Sequence, residues 1–358
     1  MIKGIALRWL ASRSLHPQAP QRAESILVLR YDRIGDMVVT TPLIRELRSL
    51  YPTATIDVLA SKKNAPVLAS NENVSNIRVY PELAVGKLLF LLRARGTYDL
   101  VIDLNHSLIW QAVFELRLLN PKFIIAPKKG PRYGIDPRSL SLYNGLSETS
   151  VDRPLGEVYL DLLSLLSEKK ASRSVAYDVP LDRENQLYAS RMLVGLEAPF
   201  YGVNLSGGRP SMSLRDRDFV RIVEALLQQT AKGTVLLFCD PSSTGRVGSI
   251  FREFFSDNPR VVRLATTCCV MDAVAAIEHL SILVTPDTSL VHFACAKKIP
   301  LVAIYADEPA LFRQWQPVSD APWRVCFSKH NKSLNGYAIE EVIECISQLL
   351  DLTGIRKL

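Results

Sequence analysis

One pattern constrains this chain more than any other: short β-branched apolar runs alternate with longer amphipathic stretches, and the alternation occurs in two successive series. Apolar runs of this kind are strands buried on both faces of a parallel sheet, and the amphipathic stretches are the helices that cover it. In the first series, strands are expected at Ser25–Arg30 (SILVLR), Thr55–Leu59, Leu100–Asp103 and Phe123–Ala126. Helices are expected from about Asp36 to Tyr51 and over Lys87–Arg95. The polar, basic stretch Ser167–Ser174 (SEKKASRS) interrupts the pattern and reads as an interdomain linker. The second series has strands at Phe200–Leu205, Thr234–Phe238, Ile282–Thr285 and Leu301–Tyr305. Its helices are expected at Phe219–Gln229, Met271–His279, Ser289–Lys297 and Ala338–Leu352.

A chain of 358 residues is long enough to bury two cores. The expected organisation is a basic N-terminal segment (1–24), a Rossmann-like domain (25–172), a second Rossmann-like domain (173–335) and a C-terminal helix (336–358). The fold class expected is α/β, with the two domains facing a central cleft. Ligands of such sheets bind at the carboxyl ends of the strands, so the loops after residues 30, 205, 238, 285 and 305 are expected around one site.

Charge and cysteine usage narrow the chemistry. The formal net charge of +7 favours anionic partners such as nucleotides, phosphorylated glycans or acidic lipid. Nucleic acid has nothing beyond that charge to support it. The six cysteines form no CxxC pair and no His/Cys cluster has ligand spacing, which reads as reduced thiols in a cytosolic protein without a metal site. No apolar run approaches the roughly 18 residues that span a bilayer. The first 22 residues carry Lys3, Arg8, Arg13 and Arg22 among Ile2, Ile5, Leu7, Trp9 and Leu10, without an acid. A loosely docked tail, a basic interfacial helix and a transit peptide all share that composition.

Three segments carry chemistry. In Leu29–Pro42 (LRYDRIGDMVVTTP), a strand runs through a glycine turn into a helix headed by Asp36. That carboxylate reads either as a helix cap or as a base that accepts a proton from a hydroxyl. In Leu283–Ala296 (LVTPDTSLVHFACA), a strand ends where Asp287, Thr288 and Ser289 open a helix, with His292 one turn on. Free N–H groups at such a terminus suit a diphosphate, and an ordinary cap is the alternative. In Val203–Arg217 (VNLSGGRPSMSLRDR), Ser206, Gly207 and Gly208 precede Arg209 and Arg215. The glycine N–H groups can cradle phosphate and an arginine can neutralise it, or the stretch is a solvent loop.

Ile34-Gly35-Asp36 followed by Thr41-Pro42 and Tyr51-Pro52, together with Asp287-Thr288…His292, resembles glycosyltransferase family 9, the bacterial heptosyltransferases of lipopolysaccharide core synthesis. The similarity runs from about residue 25 to 320 and implies the GT-B fold. It implies an inverting transfer of heptose from ADP-heptose to a lipopolysaccharide-type acceptor, with Asp36 as base and no bound metal or cofactor. Ser206, Gly207, Gly208, Arg209, Arg215, Asp287, Thr288, Ser289 and His292 are then expected on the donor. Arg33, Lys128, Lys129 and Arg132 are expected on a lipid-linked glycan acceptor, in a cytoplasmic enzyme with peripheral contact to the inner face of the membrane. The chain departs from the family pattern at Ser289 and Ala306, where glycine is usual, and at Leu214, where tryptophan is usual. A nucleotide-sugar epimerase of the same architecture and a non-catalytic glycan- or nucleotide-binding relative are the alternatives.

Overall fold

The computed structural model describes residues 2–15, 18–150, 152–167, 174–264 and 269–356. The chain divides into two compact units, Met1–Asp178 and Val179–Leu358. Most of the expected linker at Ser167–Ser174, and Cys268, lie outside the described residues.

The first unit contains α1 (Ile2–Ala11), β1 (Ser25–Arg30), α2 (Ile34–Leu50), β2 (Thr55–Ala60), β3 (Asn76–Val79), α3 (Ala84–Arg93), β4 (Leu100–Asp103), α4 (Trp110–Leu119), β5 (Phe123–Ala126), β6 (Gly145–Leu146) and α5 (Leu155–Asp161). The second contains α6 (Arg183–Leu193), β7 (Phe200–Asn204), α7 (Asp216–Gln229), β8 (Thr234–Phe238), α8 (Thr244–Phe254), β9 (Val261–Arg263), α9 (Val270–Ile277), β10 (Leu280–Pro286), α10 (Ser289–Ala296), β11 (Leu301–Tyr305), α11 (Pro309–Trp315), β12 (Trp323–Phe327) and α12 (Ile339–Leu352).

Each unit holds a six-stranded parallel sheet, in the orders β3-β2-β1-β4-β5-β6 and β12-β11-β10-β7-β8-β9. Both are doubly wound. The strand order reverses direction between β1 and β4 in one sheet and between β7 and β10 in the other, and those switch points are where such sheets hold ligands. The central strands are apolar because both their faces are covered: Ile26 to Leu29 of β1 and Leu283 and Val284 of β10 are almost wholly buried.

The N-terminal segment is neither a frayed tail nor a separate body. Its helix α1 packs against α4, and Leu7 and Ala11 join Leu27, Leu29, Leu91, Val113 and Leu116 in one core. Helix α12, expected as a separate tail, likewise buries Val342, Ile346, Leu349 and Leu350 in the core of the second unit.

Helix α2 begins at Ile34, two residues before the expected start, and runs through Pro42. Proline has no N–H to give the carbonyl of Val38 one turn back. The hydroxyl of Thr41 donates to that oxygen instead, at 2.7 Å, and also accepts the backbone N–H of Asp178 at 2.9 Å. The Thr41-Pro42 pair therefore repairs the helix and pins the end of the first unit to it.

Candidate active site

In the first unit, the site forms at the carboxyl end of β1. Asp36 does not cap α2: Arg33 holds that position, and Asp36 lies three residues inside the helix, with its carboxylate accepting the Arg33 backbone N–H. The side chain of Asp36 is only 15% exposed. Its Oδ1 lies 3.2 Å from Nη1 of Arg30, the last residue of β1. Arg30 is 2% exposed, and a buried guanidinium needs partners for each face of its fork. Nη1 also meets Asp32 Oδ2 at 3.1 Å, Nε donates to Thr40 Oγ1 at 3.0 Å, and the guanidinium carbon stands 4.9 Å over the ring of Tyr159. Thr40 closes the circuit by donating to the Asp36 carbonyl at 2.7 Å.

Burial holds the Asp36 carboxyl above the usual carboxylate range; Arg30 opposes that shift and the neighbouring Asp32 adds to it. A carboxylate made more basic by burial is suited to taking a proton from a hydroxyl. Behind it, Tyr159 Oη lies 3.0 Å from Nε2 of His106, in the loop after β4. Burial, with the charges of Arg30 and Lys129, lowers the His106 pKa to about 4, so the ring is neutral at physiological pH.

The four expected acceptor-side cations divide. Arg33, Lys128 and Arg132 are exposed, Arg132 stacking 5.0 Å from the centroid of Tyr133. Lys129 turns inward instead. Its side chain is fully buried, its Nζ lies 3.0 Å from Asp103 Oδ2, and it donates to the carbonyl of Asn105. Tyr143 completes the cluster by donating to Asp103 at 3.1 Å. Lys129 is thus an internal counterion that joins the loops after β4 and β5, where the sequence suggested a surface charge.

In the second unit, the two phosphate-type segments follow β7 and β10, adjacent strands at the switch point. Asn204, the last residue of β7, ties them together: its Nδ2 donates to Thr285 Oγ1 and to the carbonyl of Ser206, each at 2.9 Å. Ser206 is buried and its Oγ accepts the N–H of Asp240 at 3.1 Å. Gly207 is required by close packing, because a Cβ there would lie 1.9 Å from the Met212 carbonyl oxygen. Its N–H is committed to Ser213 Oγ at 3.0 Å. Gly208 has open space where a Cβ would stand, and Arg209 is exposed.

Arg215 takes a different part from Arg209. Its Nε meets Asp218 Oδ2 at 2.7 Å, and Tyr337 donates to the same oxygen at 2.7 Å, so its charge is already balanced at the start of α7. After β10, Thr288 caps α10, its Oγ1 accepting from Leu290 N at 3.2 Å, while Asp287 and Ser289 are half-buried beside it. His292 is buried, with its ring centroid 5.6 Å from that of Trp315, and burial lowers its pKa to about 4. It serves the helix as a neutral packed ring. Farther along the same sheet end, Asp307, Glu308, Leu311, Gln314 and Asn331 line an open recess of about 410 Å³ after β11.

Sequence reasoning missed Arg30, His106, Tyr159 and Asp240. The one available signal was the position of Arg30: a cation closing a wholly apolar strand, with acids two and six residues later, needs an internal partner. Tyr159 reaches the site only through tertiary packing. Asp240 receives hydrogen bonds from Ser206, Ser242 and Ser243, which overcome its partial burial and lower its carboxyl to about 2.

Residues 90–340 match the family model of glycosyltransferase family 9 (heptosyltransferase). The chain belongs to that family. The matched span contains the β7 and β10 loops, with Asp36 preceding it. This family 9 glycosyltransferase is 26% identical over 350 residues to lipopolysaccharide heptosyltransferase 3 of Escherichia coli K12, covering 88% of this chain and 95% of the relative. Its fold is shared with the crystal structure of a family 9 glycosyltransferase from Veillonella parvula, at a TM-score of 0.75 and 18% identity over 93% of this chain and 99% of that one. The E. coli ADP-heptose lipopolysaccharide heptosyltransferase II gives a TM-score of 0.73 and 20% identity, over 92% and 99% of the two chains. The fold is accordingly of the GT-B type, and the chain is a glycosyltransferase. Among the described residues, no group of three or more His, Cys, Asp or Glu side chains is placed to hold a metal ion.

Proposed function

We propose that this enzyme transfers a heptose from ADP-heptose, with inversion at the anomeric carbon, to a hydroxyl of a lipopolysaccharide-type acceptor. The observation that carries the reading is Asp36, a half-buried carboxylate raised by burial and held in place by the Arg30 guanidinium 3.2 Å away. The names of its E. coli relatives support the donor and the acceptor: lipopolysaccharide heptosyltransferase 3 and ADP-heptose lipopolysaccharide heptosyltransferase II.

The chemistry divides by unit. In the first, Asp36 takes the proton of the acceptor hydroxyl as the oxygen bonds to the anomeric carbon. The bond from that carbon to the diphosphate oxygen breaks on the opposite face, and its electron pair leaves with ADP. In the second, Arg209 and the N–H groups that open α10 at Thr288 and Ser289 stabilise the diphosphate as charge builds on it. Asp287 holds sugar hydroxyls. Arg209 is preferred to Arg215 because Arg215 already balances Asp218. Arg33, Lys128 and Arg132 are the exposed cations left to meet acceptor phosphates or carboxylates. These protein cations and dipoles supply the leaving-group stabilisation, so the reaction is proposed to need no metal.

A lipid-linked acceptor implies work at the inner face of the cytoplasmic membrane, reached peripherally: no helix among the described residues is long and apolar enough to cross a bilayer.

Calorimetric titration of ADP-heptose, ADP and the UDP and GDP sugars into wild type and Asp36→Asn tests the assignment. Selective binding of the adenine compounds by both proteins is expected. Selective binding of another nucleotide would overturn the donor, and binding of none would overturn the transfer reading itself.

A further inference from the structure

On the face of the first unit covered by α1, α3 and α4, the outward surface is apolar where a helix normally turns charge to water. Helix α3 buries Leu91, yet Val85, Leu88, Leu89 and Leu92 point outward, Val85 being 69% exposed. Their spacing of i, i+3, i+4 and i+7 is a complete amphipathic stripe on the solvent side. Its neighbour α4 exposes Trp110 and Phe114, again one turn apart. Helix α1, packed on the other flank of α4, exposes Trp9 at 82% beside the exposed Arg8. The three helices share one core beneath, so these side chains occupy one side of the sheet. Exposed apolar side chains gathered on adjacent helices over one side of a sheet mark an interaction site.

The charges on the same helices identify the partner. The sequences of α1 and α3 contain no acid, and α4 contains one, Glu115. Glu115 is buried and accepts from Tyr31 and Tyr80 at 2.7 Å and from Gln111 at 2.6 Å. Arg8 and Arg93 are exposed, Lys87 and Arg117 are half-exposed, and Arg95 follows α3 on the surface. Glu82, just before α3, is the nearest exposed acid in sequence. Leucine, phenylalanine and tryptophan on a helical face rimmed by lysine and arginine is the chemistry that enters an anionic bilayer interface.

We infer that the α1–α3–α4 face is a membrane-docking surface that inserts Trp9, Trp110 and the α3 stripe into the headgroup region of an anionic lipid leaflet. The inference deepens the reading of a lipid-linked acceptor and rests on it for its purpose. Its test requires neither donor nor acceptor, so the two ideas fail separately.

The experiment is flotation of the full chain with phosphatidylcholine vesicles and with vesicles containing phosphatidylglycerol. Leu88→Glu/Leu92→Glu and Arg8→Glu/Arg93→Glu are compared with wild type, with thermal melts confirming that each variant is folded. Wild type is expected to bind the anionic vesicles at least about tenfold more tightly than the neutral ones, with a blue shift in tryptophan emission. Both variants are expected to lose at least about tenfold on anionic vesicles. Nucleotide-sugar binding, which involves none of these residues, should stay unchanged in both. Wild type that ignores anionic vesicles, or folded variants that bind them as well as wild type, would overturn the inference. A wild-type mass of two chains in light scattering, reduced to one by the leucine variant, would also overturn it by assigning the face to a second copy.

Discussion

Nη1 of Arg30 lies 3.2 Å from Oδ1 of Asp36, and it brings a buried positive charge to the carboxylate proposed as the base. Burial raises the Asp36 carboxyl while Arg30 lowers it, so under the proposed mechanism the pair sets the acid limit of the reaction. The base works only when ionised, and activity is lost as pH falls through its pKa. Arg30→Met removes the lowering contribution, so the acid limb of kcat/KM should move toward neutral pH relative to wild type. Nucleotide affinity, which the proposed mechanism assigns to the second unit, should not change. A pH–rate profile with an unmoved acid limb would separate Arg30 from the chemistry.

The buried pair of Asp103 and Lys129 predicts a loss of stability where a surface cation would predict a loss of acceptor affinity. Lys129→Met leaves Asp103 buried without its counterion, which costs about 3–5 kcal/mol at neutral pH. In wild type the Asp103 carboxyl is held below its ordinary value, because Lys129 and Asn105 outweigh the burial that would raise it. Its contribution is therefore present above the ordinary carboxylate pKa of about 4 and lost as pH falls through the depressed value. The cost of Lys129→Met should shrink on acidification, since a protonated Asp103 needs no counterion. Denaturant melts at two pH values check this; Lys128→Glu, on the exposed neighbour, should leave both melts within about 0.5 kcal/mol of wild type.

Adjacent glycines after β7 should behave differently. A Cβ at residue 207 would meet the Met212 carbonyl at 1.9 Å, whereas at residue 208 it meets nothing within 4 Å. Gly207→Ala must displace the loop backbone, at about 1–3 kcal/mol, and should weaken donor binding at least about tenfold. Gly208→Ala should bind donor nearly as wild type does. Calorimetry with ADP-heptose distinguishes them, and equal effects would mean that the loop does not depend on this packing.

The two arginines after β7 should also separate. Arg209→Ala should weaken ADP at least about tenfold while leaving adenosine binding unchanged, as expected for loss of a charge-assisted contact to phosphate. Arg215→Ala removes the half-exposed counterion of the buried Asp218 carboxylate, which then keeps only Tyr337, so it should lower stability while leaving ADP affinity within about twofold. If instead Arg215→Ala carries the loss, the phosphate contact belongs to Arg215.

The parallel sheets were legible because central strands such as Ile26–Leu29 and Leu301–Tyr305 are apolar throughout, a pattern produced by burial on both faces. The edge strands β3, β6, β9 and β12 were not legible: Asn76–Val79 is largely exposed, Gly145–Leu146 is two residues long, Val261–Arg263 is three residues long, and Trp323–Phe327 is only partly buried. Helix α4 escaped detection because Trp110 and Phe114 face outward while Glu115 faces inward, which blurs the apolar period. Thr288 and Asp36 were readable as residues at helix starts, although Asp36 sits inside its helix and Arg33 holds the cap. The buried surroundings of Asp36 were not readable, because Tyr159 and His106 reach them through contacts remote in sequence. Lys129 was misread for the same reason, since its partner Asp103 ends a different strand.

The central claim is that Asp36 is the base of the transfer, and its most direct test is turnover by Asp36→Asn. With ADP-heptose and a lipopolysaccharide-type acceptor, the variant should bind donor with wild-type affinity and lose about 10²–10⁴-fold in kcat, the usual contribution of a positioned base. Wild-type affinity together with turnover within a few-fold of wild type would contradict the assignment and place the base elsewhere.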